Sequence, residues 1–563
     1  MIKHKKLVIL IVVLLLISSG TYLYFSNKSS TSSKSTTSAK SVSYSDEKYD
    51  TDFSDYEVIK VNLSNLTTST YNITKKGVYE FTGSFSGYIK VNTEDNVEII
   101  LNGVKITNNI GPCIYITSAK NTYIKLEGTN TLEDGSTYSG FDTDVKGAIY
   151  SKDDLIFTGD GTLKLTANYE DGIVSKDDLI FKSGTYNITS KDDAIRGKDS
   201  VIILDGTYTI NSSGDGIKAT NETDTNKGYI LIQKGTFKIT SSLDGISAEK
   251  NIEIDDGTFD IKTGTGSTVT STNSNWGMQE GNSNKTTESM KGIKAGTDIL
   301  IKNITLNANT EDDSIHSNVN LNIENGNITI SSGDDGIHAD TSITISNTTI
   351  NIKQSYEGIE ANKITVNSGD ISLVSSDDGF NVNGGSDQSA QGGRPGANSY
   401  SSDTSDLVLT INGGTIKVNA SGDGLDSNGS IIMTGGEVYV DGPTDNGNGA
   451  LDYNDSFNMS GGTLIAAGSS GMAQNISSNS SAYGVIIYLS STQSAGTKVS
   501  IDGVIDYTPS KAFSSIVIVS PKFKNGNSYT FSLNGTKYTT FTISGNTTTI
   551  GTSMSGGQGQ RGR

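Results

Sequence analysis

The chain has 563 residues, 64 of them glycine and 5 proline. Glycine at about 11% against a usual ~7%, with proline at about 1% against ~5%, describes a turn-rich chain without collagen or polyproline character. With 43 basic against 62 acidic side chains the net charge is −19, and no basic stripe appears, so a nucleic-acid partner is excluded. The single cysteine, Cys113, excludes an internal disulfide framework, and three histidines (His4, His316, His338) leave metal binding mostly to oxygen.

Lys3, Lys5 and Lys6 precede an apolar run over residues 7–17, the pattern of an export signal. Continued to Phe25 the run has 19 residues, about 28 Å of helix, nearly enough to cross a bilayer core with the lysines inside. Residues 1–25 therefore read as a signal peptide or an N-terminal membrane anchor. The expected location is extracellular, secreted or tethered to the outer face of the cytoplasmic membrane. Residues 26–45, mostly Ser, Thr and Lys, read as a solvated spacer. Residues 46–146 show short apolar alternation without the acidic turns that follow, and are expected to form irregular first coils.

One cassette then recurs from Lys146 to about Asn454, within a main parallel β-helix expected over 147–483, and is seen in Glu170-Asp171-Gly172-Ile173, Asp312-Asp313-Ser314-Ile315, Asp334-Asp335-Gly336-Ile337 and Asp377-Asp378-Gly379-Phe380. Its apolar residue recurs as Ile149, Ile173, Ile195, Ile217, Ile246, Ile293, Ile315, Ile337, Ile359, Phe380, Leu425 and Leu451. The commonest step is 22 residues, and the longer steps hold insertions at 221–228, 263–290 and 384–405. Within a unit, pairs such as Ile337/Ala339, Ile343/Ile345 and Ile350/Ile352 mark three short strands. No segment sustains a 3.6-residue period, which excludes helical repeats.

A lone unit of this size cannot bury its apolar face, but stacked units can, each strand pairing with its equivalent one coil along. The fold class expected is all-β: a three-sided parallel β-helix of ~22 residues per coil, its twelve units rising roughly 53 Å at about 4.8 Å per step. Asn318, Asp340, Asn362, Asn383, Asn428 and Asn454 form a column read as structural. Residues 484–552 lose the period and read as an antiparallel β cap, with turns at Asn525-Gly526 and Asn534-Gly535. Residues 553–563 are a glycine-rich tail.

Two positions before that apolar residue the chain is acidic in nine units: Asp171, Asp193, Asp215, Asp244, Asp313, Asp335, Glu357, Asp378 and Asp423. A second acid precedes it in several, including Asp192, Asp312, Asp334 and Asp377. An Asp-Gly bend explains one acid but not two. Stacking places these carboxylates roughly 5 Å apart, each neighbouring pair costing about 3.5 kcal/mol at an effective dielectric of 20. Raised pKa values, turn amides or a bound cation could each offset that cost. Hard oxygen ligands in an extracellular setting point to Ca²⁺.

Directly after each apolar residue of the column runs a second lane, Lys218, Ser247, Lys294, His316, His338, Glu360, Asn381, Asp426 and Asp452, expected to face outward and be exposed. His316, His338 and Glu360 on successive coils could hold a transition metal, or simply be solvated. Trp276, in the 263–290 insertion, could stack on a sugar or plug its own loop.

The segments Ser-Lys-Asp-Asp-Leu-Ile-Phe at 151–157 and 175–181, the Asp-Asp-Gly-Ile turns, Gly-Gly-Arg-Pro-Gly at 392–396 and Ser520-Pro521-Lys522-Phe523 resemble a bacterial family of secreted, carbohydrate-binding-domain-containing β-helix proteins. That resemblance implies a right-handed parallel β-helix with bound calcium, similar to family 9 polysaccharide lyases, and binding of cellulose and acidic, pectin-type polysaccharide. Two functions follow as expectations. One is a non-catalytic, calcium-dependent polysaccharide binder at the cell surface, a monomer, in which Ca²⁺ mediates between an anionic protein and an anionic glycan such as polygalacturonate. The other is a pectate-type lyase acting by β-elimination, with Lys218 or Lys294 as base.

Overall fold

The computed structural model describes residues 39–42, 44–268, 288–383 and 406–553. They belong to one compact unit, Ser38–Arg563. The export or anchor segment, most of the spacer, Trp276, the Gly-Gly-Arg-Pro-Gly insertion and nearly all of the tail lie outside them. Among the described residues no helix is long and apolar enough to cross a membrane.

The described residues form 49 strands and two short 3-10 helices, Asp46–Tyr49 and Leu63–Asn65. Forty-five strands join one hydrogen-bonded system and four form a separate sheet. The long system is a parallel stack consistent with a β-helix, because each strand pairs with its equivalent in the next repeat. Ile149 lies beside Ile173, then Ile195, Ile217, Ile246, Ile293, Ile315, Ile337, Ile359, Phe380, Leu425 and Leu451. All twelve side chains are at most 1% exposed, so the column inferred from spacing is the core. The register is the same on the two sides of each insertion.

Aromatic residues form ladders inside the shaft. Tyr186, Tyr208, Phe237 and Phe259 stack with centroids 5.0, 4.8 and 4.6 Å apart and planes within 10°. The glycine two positions before each ring is required by the close approach. Gly206 has φ +141°, and a Cβ there would lie 2.8 Å from the Tyr208 ring. The Tyr208 hydroxyl donates to the Asp205 carbonyl, satisfying the buried polar end at the corner.

The outer face of the middle strands carries Ile156, Ile180, Ile202 and Leu231, apolar residues that need a cover. The N-terminal segment supplies it: Tyr49 is buried with them and with Tyr123, while Tyr44 and Phe53 pack alongside. The Lys40 amide donates to Asp298 at 3.1 Å and the Ser41 hydroxyl to Glu253 at 2.8 Å. Residues 39–42, expected to be solvated spacer, thus lie on the shaft, bonded to Asp298 and Glu253 ahead of the aromatic residues that cover the apolar stripe.

At the far end Thr463–Gly468 pairs antiparallel with Phe513–Val519, which also pairs antiparallel with Gly484–Gln493. The separate sheet joins Ile505–Tyr507, Val499–Ile501, Ser528–Leu533 and Thr536–Thr542, all antiparallel. Asn534 (φ +47°) and Gly535 (φ +77°) make the tight turn between its last two strands, a conformation Asn-Gly adopts at little cost.

Candidate functional site

The acidic turns stack as the spacing implies, and each carboxylate has two different duties. One oxygen accepts the amide of the next turn. The Asp193 amide donates to Asp171 Oδ1 at 3.1 Å, Asp215 to Asp193 at 2.9 Å, Asp244 to Asp215 at 2.9 Å, and Lys291 to Asp244 at 2.7 Å. The pattern resumes with Asp335 on Asp313 at 2.9 Å and Asp423 on Asp378 at 2.6 Å. The second oxygen faces the neighbouring lane, and what it meets there divides the shaft into two halves.

From Asp171 to Asp335 it meets the protein's own basic groups. Arg196 Nη2 is 2.6 Å from Asp171 Oδ2, Lys218 Nζ is 2.7 Å from Asp215 Oδ2, and Lys294 Nζ is 3.6 Å from Asp244 Oδ2. Lys291, itself 2% exposed, lies 2.5 Å from Asp313 Oδ2 and 3.1 Å from Asp312 Oδ1. Burial pushes the Asp171 and Asp215 carboxyls up to about 7, only partly opposed by Arg196 and Lys218. Burial also opposes charge on Asp313, but Lys291 and His316 outweigh it and hold this carboxylate well below its ordinary range.

The second lane is therefore not an exposed strip. Its order in register is Arg196, Lys218, Ser247, Lys294, His316, His338, Glu360, Asn381, Asp426 and Asp452. His316 is 4% exposed, His338 0% and Asn381 2%. These side chains fold back onto the carboxylates, which buries both partners.

The two imidazoles stack at 4.7 Å with planes 7° apart. His316 sits between Asp313, 2.8 Å from Nδ1, and Asn318, 2.9 Å from Nε2. His338 Nδ1 lies 3.1 Å from Asp335 and 2.9 Å from Glu360, and its Nε2 lies 3.2 Å from Asp340. Burial and then the Lys291 charge lower the His316 pKa; burial opposes charge on His338 too, but Asp335, Asp340 and Glu360 raise it well above normal. With carboxylates against both ring nitrogens, His338 is placed as a cation among its own acids. Asn318 and Asp340 orient these rings, whereas further along the same column Asn454 donates to Asn428 at 3.0 Å and Asn428 donates to Asn383.

Beyond His338 the basic residues stop and the acids continue. Among the described residues Glu357, Asp377, Asp378, Asp423, Asp426 and Asp452 have no ion pair with Lys, Arg or His. Burial, then repulsion from Glu360, Asp335 and Asp378, raises Glu357 well above its ordinary value. Burial, then Asp377, Asp423 and Asp426, does the same to Asp378. Burial with neighbouring acids pushes Asp423 up to about 6 and Asp426 up to about 7. Asn381 stands between Glu360 and Asp426 in register. Its Nδ2 donates to Glu357 Oε2 at 2.7 Å, while its buried Oδ1 has no hydrogen-bond partner among the described residues. An orphaned amide oxygen inside a half-buried set of unneutralised carboxylates fits a hard divalent cation.

Other acidic groups could also hold a metal ion: Asp171/Asp192/Asp193, Asp312/Asp313/Asp334, Asp335/His338/Glu360 and Asp154/Asp177/Asp178 each bring ligand atoms within 4.8 Å of one another. In each of them, however, a Lys, Arg or His lies against one of the acids. Of the residues expected to be metal ligands, the uncompensated half gathers Glu357, Asp377, Asp378 and Asp423. It adds Asp426, Asp452 and Asn381, which the outward lane contained but which were not read as ligands. Asp426 and Asp452 were detectable as a second acidic column, directly after Leu425 and Leu451. As for the lyase base, Asp215 and Asp193 overcome the effect of burial and raise the Lys218 pKa, so it holds its proton. Lys294 donates to Ser289 Oγ at 3.1 Å as well as facing Asp244.

Residues 67–336 match the family described as carbohydrate-binding domain-containing protein, the one that the sequence motifs resemble. A relative of that description from Acetivibrio thermocellus is 32% identical over 145 residues, covering 23% of this chain and 50% of the relative. The chain thus spans about half the length of the curated relative it matches. A solved polysaccharide lyase-like protein from C. thermocellum, a gadolinium derivative, is 30% identical with a TM-score of 0.35, covering 37% of this chain and 91% of that one.

Proposed function

We propose, from the match of residues 67–336 to the carbohydrate-binding domain family, that this protein is a non-catalytic, calcium-dependent binder of extracellular polysaccharide, held at the bacterial cell surface through its N-terminal segment. Its scaffold in this reading is a monomeric, right-handed, three-sided β-helix with ~22 residues per coil. The observation that carries the reading is the run from Glu357 to Asp452, where carboxylates continue after the protein's own cations end and Asn381 leaves an amide oxygen unpaired. Ca²⁺ there would have carboxylate and amide oxygen ligands, and would lend positive charge to a surface of net charge −19. An acidic, pectin-type glycan could then approach; cellulose, being uncharged, needs no such bridge.

Binding is favoured over elimination because both candidate bases are engaged within the protein: Lys218 lies against Asp215 and Asp193, and Lys294 against Asp244 and Ser289. The test is retention of the full chain on polygalacturonate and on insoluble cellulose with Ca²⁺ or a chelator, while unsaturated product is followed by ultraviolet absorbance. Retention on polygalacturonate in Ca²⁺ alone, without product, is the expected result. Product formation, or retention on polygalacturonate that is indifferent to chelation, would overturn the reading.

A further inference from the structure

Away from the acidic row, a groove of about 550 Å³ lies where the C-terminal strand Ile505–Tyr507 meets the shaft strands Gly369–Ser375, Thr415–Ala420 and Glu437–Asp441. Its floor is a register row on three adjacent strands, Ser372, Lys417 and Tyr439. Its wall is Tyr507, whose ring stacks on Tyr439 at 5.4 Å and 24°. Both rings are fixed by their hydroxyls: Tyr439 donates to Glu437 at 2.9 Å, and Tyr507 donates at 2.7 Å to Asp441, which also accepts the Ser510 amide at 2.9 Å. Val374, 41% exposed, adds apolar surface to the lining. The volume is that of a small-ligand site, and the lining joins ring faces with hydroxyl, ammonium and carboxylate groups.

That chemistry matches a sugar, which presents C–H faces to aromatic rings and hydroxyls to polar side chains. The charge selects which sugar. Glu437, Asp441 and Asp506 line the groove against one lysine, Lys417, and Asp506 is further paired with Lys498 at 3.1 Å. No surplus of positive charge is present to hold a uronate carboxylate.

We propose that this groove is a second glycan subsite, taking a short segment of neutral, hydroxyl-rich polysaccharide independently of calcium. It rests on the polysaccharide-binding reading and adds to it a ligand class and a place. The shaft would then meet a neutral chain at the Tyr439/Tyr507 groove and an acidic one at the carboxylate row.

The test uses the full chain, with cellohexaose as neutral probe and polygalacturonate as acidic probe. Binding of cellohexaose is measured by titration calorimetry with chelator present. Tyr439→Ala removes half of the aromatic pair, and Ser372→Arg fills the groove from an exposed strand position, where folding is not at risk. We expect cellohexaose binding by the native chain in chelator, at least tenfold weaker in both variants, with calcium-dependent retention on polygalacturonate unchanged. Equal affinity in native chain and variants would overturn the proposal, as would cellohexaose binding that requires calcium. Absence of cellohexaose binding would also overturn it; polygalacturonate retention in the same experiment then shows whether the wider reading survives.

Discussion

Lys291→Met isolates what the protein's own cations do. The Lys291 ammonium is buried against Asp312 and Asp313, and Asp313 is 0% exposed, so the change leaves a buried carboxylate with the Asp335 amide and His316 but without its lysine. Removing one partner of a buried pair costs about 3–5 kcal/mol, because the remaining charge keeps its desolvation cost and loses its counterion. Lys498→Met is the control: Lys498 and Asp506 are also 3.1 Å apart, but their side chains are 51% and 68% exposed, and such pairs contribute under about 1 kcal/mol. The assay is urea unfolding in chelator, followed by far-ultraviolet circular dichroism and interpreted where the slope is unchanged. Lys291→Met should lower the midpoint several times further than Lys498→Met. Calcium should restore part of the loss, since Asp312, Asp313 and Asp334 already bring their oxygens within 4.8 Å of one another. Equal small shifts for the two variants would refute the division of the shaft into self-neutralised and cation-dependent halves.

Stability in chelator should rise as pH falls from 7.5 to 5. Asp423 and Asp426 titrate at about 6 and about 7 when folded against an ordinary 3.8, so the folded state binds more protons in this window and each group contributes up to about 1.4 kcal/mol per pH unit. Saturating calcium should flatten that slope, as thermal melts across pH would show. Asp378→Asn should weaken calcium binding by calorimetry at least tenfold, yet raise the melting temperature in chelator because it relieves repulsion from Asp377, Asp423 and Asp426. Phe237→Ala, which removes a ring stacked between Tyr208 and Phe259, should cost about 3–5 kcal/mol by denaturant unfolding, with or without calcium.

The interior was legible because burial imposes the same demand at every coil: Ile149 to Leu451 recur at a fixed place in the cassette, and the structure sets them in one column. The turn Asn534-Gly535 was legible for a local reason, its need for two positive φ angles. The second lane was placed correctly in register but read as solvated. Strand alternation says that a side chain leaves the core, not that Arg196, Lys218 or His338 will bend back to a carboxylate on the adjoining turn. The doubled acids raised turn amides and bound cations as alternatives, whereas the carboxylates use one oxygen for an amide and present the other to a cation. Residues 39–53 carry no periodic signal, so their packing over Ile156, Ile180 and Ile202 could not be read from composition.

Diffraction from crystals grown in calcium, with anomalous differences to identify the ion, tests the cation-dependent half most directly. An ion coordinated at about 2.3–2.6 Å by Asn381 Oδ1 and the carboxylates around it, from Glu357 to Asp426, is the expected result. Water alone around Asn381, or calcium bound only among the lysine-paired turns from Asp171 to Asp313, would contradict it.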